Sequence, residues 1–134
     1  MEDLKNAIDL LTEDKTCILV KGTNVLISSE KGIAPMINYL NNGIDMKDYS
    51  VADKIVGKAA AYLFICAGIK EVYGEVMSTK AMSIFEEYKI PYKYKTKTEK
   101  IINRKGDDIC PMEKAVQDID DPVEGYLILK EKVQ

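Results

Sequence analysis

The chain has 134 residues, 46% of them apolar, a formal net charge of −3 and no histidine. That length and composition suit one compact, water-soluble domain, and the acidic balance argues against whole-surface attraction to nucleic acid or anionic membrane. Without histidine, Ser-His-Asp and Cys-His nucleophile activation and any histidine-ligated zinc or haem are excluded, so acid–base work falls to Asp, Glu, Lys, Cys or Tyr.

Leu4, Ala7, Ile8 and Leu11 recur at helical spacing and predict an amphipathic helix over 2–13. Cys17–Lys21 and Asn24–Ser28, joined by Gly22-Thr23, predict a hairpin of two buried strands. A short helix is predicted over 33–41, with Pro35 in its first turn and Gly43 beyond its end. Ser50, with Asp53 three residues on, reads as a variant capping box opening a central helix that Gly68 closes. Residues 70–77 predict a strand, and Ser78 caps a helix from 79 to 88. Pro91 bars helix continuation, and Tyr92-Lys93-Tyr94-Lys95-Thr96-Lys97 alternates with period two, a strand with a lysine face. Residues 99–104 fit either a short strand or one helical turn, and 103–108 read as a loop. Pro111 opens a helix through 119, and Asp121-Pro122 starts the last one. A leading β-hairpin followed by alternating helices and strands implies an α/β fold, a three-layer α-β-α sandwich around a mixed sheet. In such sheets ligands sit in crevices at helix N-termini beyond the strand ends.

The chain reads as a single domain, residues 1–134. Met1 is followed directly by acidic residues, with no secretory signal pattern, and the apolar run from Ile55 to Ile69 is too short to span a membrane and carries a lysine. Cys17, Cys66 and Cys110 are too scattered for a disulfide framework or a metal knuckle. The expected location is the cytoplasm, with no membrane partner, no metal and no cofactor. Homo-oligomer formation is open.

That apolar run holds the sharpest clue. From Ile55 to Ile69 Lys58 is the one charged side chain, in a segment apolar on every side, and a helix of that kind is buried. A buried ammonium is costly unless paired or given a task.

The element order, with Asp53-Lys54-Ile55-Val56-Gly57-Lys58-Ala59-Ala60-Ala61 and Asn103-Arg104 through Cys110-Pro111-Met112-Glu113, resembles an uncharacterised domain-of-unknown-function family with a cytidine-deaminase-like fold. Zinc deaminases carry H-x-E at one core helix and P-C-x-x-C at the start of the next. Those positions fall near Lys54–Lys58 and Met77–Ala81, which hold neither the histidine nor the cysteines. The resemblance therefore implies the scaffold and a nucleoside-sized crevice without zinc-activated water.

Lys58 reads as an anchor for a phosphate or carboxylate, as an amine nucleophile toward a carbonyl or activated sugar, or as a lysine that snorkels or pairs within the architecture. Asp53 is its charge partner or a first-turn acid. Cys110, just before Pro111, is a thiol at a helix start, nucleophilic or merely capping, and Glu113 is a helix-start acid, a ligand contact or a base. Asn103, Arg104 and Gly106 form a polar loop suited to an anion, and Ser78 offers a hydroxyl at a neighbouring helix start. Lys58, Ser78, Asn103 and Cys110 are expected to line one pocket, with Tyr62 as an apolar wall. The expected ligand is a small nucleotide-like or sugar-phosphate molecule. The alternatives are an enzyme using Lys58 or Cys110, and an RNA-associated module using Lys93, Lys95 and Lys97 with Tyr92 and Tyr94, although the lysines also suit a blunted sheet edge.

Overall fold

The computed structural model describes residues 2–133. Helix α1 (Glu2–Leu10) leads into strands β1 (Cys17–Lys21) and β2 (Asn24–Ser28), then helix α2 (Ala34–Asn41). Strand β3 (Ser50–Val56), helix α3 (Lys58–Ala67), strand β4 (Glu71–Ser78), helix α4 (Thr79–Glu87) and strand β5 (Tyr92–Thr98) follow. Two helices, α5 (Pro111–Ala115) and α6 (Pro122–Lys132), complete the described chain.

The five strands form one mixed sheet in the order β2-β1-β3-β4-β5. β1 runs antiparallel to both β2 and β3, whereas β3, β4 and β5 are mutually parallel. The larger core packs Leu19, Val51 and Val72 of the sheet against Leu63, Phe64 and Phe85 of α3 and α4. The opposite face carries α1, whose Ala7 packs with Ile18, Val20 and Ala52. The result is a three-layer α/β sandwich with a heavily covered face and a thinly covered one.

Four expectations from the sequence are corrected. Ser50–Val56 is a strand, not the capped start of the central helix; the helix begins at Lys58, so Asp53 is no first-turn acid. β3 is the middle strand of the sheet and Ser50 to Asp53 are all buried, so the alternation that marks a one-sided strand is missing. β2 is not a buried strand but the sheet edge, with Val25 and Ile27 exposed. The helix expected to reach 119 stops at Ala115. Residues 99–104 form neither a named strand nor a helix, and only an isolated bridge joins Ile102 to Ile109. Gly68, in the left-handed region at φ 73°, ends α3 as expected, and the Ser78 hydroxyl caps α4 by accepting from Ala81 N–H at 3.1 Å.

The parallel strands matter most for function. Each of β3 and β4 delivers its C-terminal end straight into a helix N-terminus, Gly57-Lys58 and Ser78-Thr79. β5 ends beside them and releases the chain at Glu99-Lys100.

Candidate functional site

A cleft of about 100 Å³ lies at these strand ends. It is lined by Lys58, Ser78, Lys80, Lys100, Glu99 and Glu113, with Ile101, Ile109 and Gln117 completing the wall. Three ammonium groups thus face two carboxylates.

One of those carboxylates is already engaged. Glu113, from the first turn of α5, lies across the start of α3: its Oε1 accepts from Lys58 N–H and its Oε2 from Ala59 N–H, each at 2.8 Å. The first N–H groups of a helix have no partner within it, and the helix dipole favours negative charge there. A side chain 55 residues away therefore supplies the cap that Gly57 cannot. Gly57 is glycine for the same reason. A Cβ at that position would lie 2.6 Å from Glu113 Cδ and 2.8 Å from Ile101 Cγ1, so a side chain would push the capping carboxylate off.

Lys58 is half-buried and has company. Its Nζ donates to the Gln117 carbonyl oxygen at 3.2 Å and lies 5.5 Å from the centre of the Tyr62 ring. The segment just past α5 thus holds the Lys58 ammonium while α5 itself holds the Lys58 N–H. Tyr62 is not a wall of the cleft. It is buried, donates through its hydroxyl to the Ile119 carbonyl oxygen at 2.7 Å, and presses its ring against Gly125 of α6.

The remaining expected site residues lie elsewhere. Asn103 spends its amide on its own loop: its Oδ1 accepts from Gly106 N–H at 2.8 Å and its Nδ2 donates to Asp107 Oδ1 at 2.9 Å. Arg104 is exposed in that turn and Cys110 is half-buried; neither lines the cleft. Cys110 precedes α5 without capping it through its thiol, and its N–H donates to the Ile101 carbonyl oxygen at 2.9 Å. Of the four residues expected to share a pocket, the structure brings together Lys58 and Ser78 but not Asn103 or Cys110.

Asp53 does not pair with Lys58. It is 7% exposed in the middle of the sheet, opposite Cys17 on β1. Burial pushes its carboxyl up to about 7, against the lowering effect of the Ile55 and Lys54 N–H groups and the Cys17 thiol. Burial, reinforced by the Asp53 charge, pushes the Cys17 thiol well above its ordinary value.

Lys80 and Lys100 were not anticipated. As isolated exposed lysines they have no distinctive local pattern. The topology was the available signal, since the segments following parallel strands converge at one sheet end.

Residues 6–133 match the profile of TM1506, a domain of unknown function (DUF1893). The chain belongs to the DUF1893 family. A DUF1893 family protein (TM1506) from Thermotoga maritima, known from its crystal structure, superposes with a TM-score of 0.89 and is 28% identical, over 98% of this chain and 90% of that one. No curated protein matches the chain. The DUF1893 assignment agrees with the domain-of-unknown-function resemblance read from the two sequence motifs, and it brings a fold without an activity.

Proposed function

We propose that this DUF1893 protein binds a small phosphorylated ligand, nucleotide-like or a sugar phosphate, and acts as a sensor or carrier. The observation that carries this reading is the convergence of Lys58, Lys80 and Lys100 on one cleft at the starts of α3 and α4. Three ammonium groups outnumber the two carboxylates, and Glu113 directs both its oxygens at the α3 backbone N–H groups, so the cleft keeps a positive balance that would attract an anion. The Ser78 hydroxyl accepts from Ala81 N–H and retains its own proton to donate.

Size refines the reading. Pockets that enclose a whole drug-sized ligand run to roughly 300–1,000 Å³. A cleft of about 100 Å³ suits the phosphate group, with the sugar or base lying outside against the rim at Ile101 and Ile109. The alternative in which Cys110 acts as nucleophile loses support because that thiol does not border the cleft. All three cysteines are unpaired, which suits a reducing compartment such as the cytoplasm. Among the described residues no helix is long and apolar enough to cross a membrane.

Titration with inorganic phosphate, ribose 5-phosphate and nucleoside monophosphates, followed by calorimetry and thermal shift, tests the reading. Binding is expected for at least one phosphate ester, weakened about tenfold or more when Lys100 or Lys80 becomes Ala, a loss of roughly 1.4 kcal/mol. Binding unchanged in the Lys80→Ala, Lys100→Ala double variant would place the ligand elsewhere. No binding of any of these probes at millimolar concentration would reject the reading.

A further inference from the structure

The two edges of the sheet are chemically opposite. β5 presents Lys93, Lys95 and Lys97, the lysine blunting by which proteins keep an open edge from pairing. β2 reads Asn-Val-Leu-Ile-Ser, without a charge or a proline. Its Val25 and Ile27 are 41% and 48% exposed, and Leu10 of α1 is exposed at 39%. A groove of about 300 Å³ runs between α1 and this strand, lined by Asn6, Asp9, Leu10, Val20, Gly22 and Val25.

From this edge we infer that two copies of the chain pair antiparallel through β2, joining their sheets into one ten-stranded sheet about a two-fold axis at Leu26. Two features of the strand bear on this pairing: one points to a second copy as the occupant, the other shows that the backbone accommodates it. The first is composition. The segment is nearly palindromic about Leu26, so a two-fold sets Val25 against Ile27 of the second copy, Asn24 against Ser28 and Leu26 against Leu26, with no charge opposed. β-branched residues facing one another are favourable cross-strand pairs.

The second feature is backbone parity. β1 and β2 are joined by the two-residue loop Gly22-Thr23, with Gly22 at φ 62°, and Lys21 faces Asn24 as the closing pair. A two-residue hairpin closes on a hydrogen-bonded pair. Alternation along an antiparallel ladder then directs the polar groups of Asn24, Leu26 and Ser28 toward β1, and those of Val25 and Ile27 outward. A two-fold at Leu26 makes Val25 and Ile27 of the two copies hydrogen-bonded partners, so the outward N–H and C=O groups meet their complements. Shifting the axis by half a residue, to between Leu26 and a neighbour, would set outward groups against inward ones, whereas an axis at Val25 or Ile27 keeps the parity but opposes Leu26 to Asn24 or to Ser28. Parity therefore restricts the axis to a residue position, and composition chooses Leu26 among them. Because β2 and β5 lie at opposite edges, each copy keeps its own lysine cleft open.

Sedimentation equilibrium across 1–500 μM is the test, a range spanning weak to tight self-association. A dimer is expected for the native chain. Ile27→Lys is expected to weaken it about 30-fold or more, since symmetry removes the pair twice. Ile27→Pro removes an outward N–H without costing a β1–β2 bond, so it is expected to yield a monomer whose circular dichroism is native. Leu26→Cys places two thiols on the axis, within reach of a disulfide, and is expected to give a covalent dimer on oxidation that is reversed by dithiothreitol. A native chain that stays monomeric up to 500 μM overturns the inference. So does a dimer that Ile27→Lys and Ile27→Pro both leave intact.

Discussion

Glu113→Ala removes one carboxylate and leaves two N–H groups at the start of α3 without a protein partner. Hydrogen bonds to a charged group contribute about 1.5–3 kcal/mol each, and loss of a helix cap costs about 0.5–2 kcal/mol. Glu113 is half-buried, so water would reach part of the vacated space, and a net loss of about 2–3 kcal/mol is expected. In a domain of this size that corresponds to a fall in Tm of roughly 8–12 °C. Glu113→Gln keeps one acceptor and turns an NH2 group toward the second N–H, so about half the loss is expected. Thermal and urea unfolding followed by circular dichroism read both variants. Acetate supplies a free carboxylate, so it should raise the Tm of Glu113→Ala more than that of the native chain. A change below about 0.5 kcal/mol for Glu113→Ala, with no acetate effect, would refute the claim that this carboxylate holds the helix start.

Three further outcomes follow from other parts of the structure. Gly125→Ala lies inside α6, where alanine would ordinarily gain about 1 kcal/mol, but its Cβ would meet Tyr62 Cδ2 at 2.7 Å, so a loss of about 1–3 kcal/mol by urea unfolding is expected. Asp53 has its folded carboxyl raised from 3.8 to about 7, so the folded state keeps a proton that the unfolded chain gives up; stability should fall as pH rises from about 4 to 7 and level off above, and Asp53→Asn should remove that slope in melts across the range. Cys17 is buried, and Cys66 is pushed up to about 11 by burial and then by the Asp121 charge, its Sγ donating to the Pro122 carbonyl oxygen at 3.3 Å, so peptide mapping after brief iodoacetamide treatment at pH 8 should find both protected and Cys110 labelled first.

The legible parts of the fold were those announced by local chemistry. Gly68 and Ser78 mark helix ends because left-handed backbone and a capping hydroxyl are one-residue requirements. Ser50 to Val56 misled because Ser-x-x-Asp imitates a capping box and a strand buried on both faces shows no alternation. Short apolar runs of that sort cannot be told from helix by periodicity. β2 misled for a different reason. Its composition is that of a buried strand, and whether a strand lies at the edge or the centre is decided by pairing elsewhere in the chain. At the site, Ser78 and Glu113 were legible as helix-start residues and Lys58 as a lone charge in an apolar run, and they do converge. Asn103, Arg104 and Cys110 lie on a segment whose course depends on tertiary packing, and the Asn103 amide that suggested a ligand contact closes its own turn instead.

Lys58 drew attention as a solitary charge in an apolar helix, yet its ammonium and its backbone N–H are both held by α5 and the residues that follow it. This changes the order in which an anion would meet the site. The α3 N-terminus is occupied by Glu113, and a ligand that sought those N–H groups would first have to displace it. At about 2–3 kcal/mol, that displacement would weaken binding roughly 30- to 150-fold against an open helix start. Lys80 and Lys100 are exposed and carry no such cost. An approaching phosphate therefore gains most from the α4 and β5 side of the cleft. Substitutions at Lys80 and Lys100 should accordingly weaken binding more than Lys58→Ala, although Lys58 is the residue that stands out in the sequence.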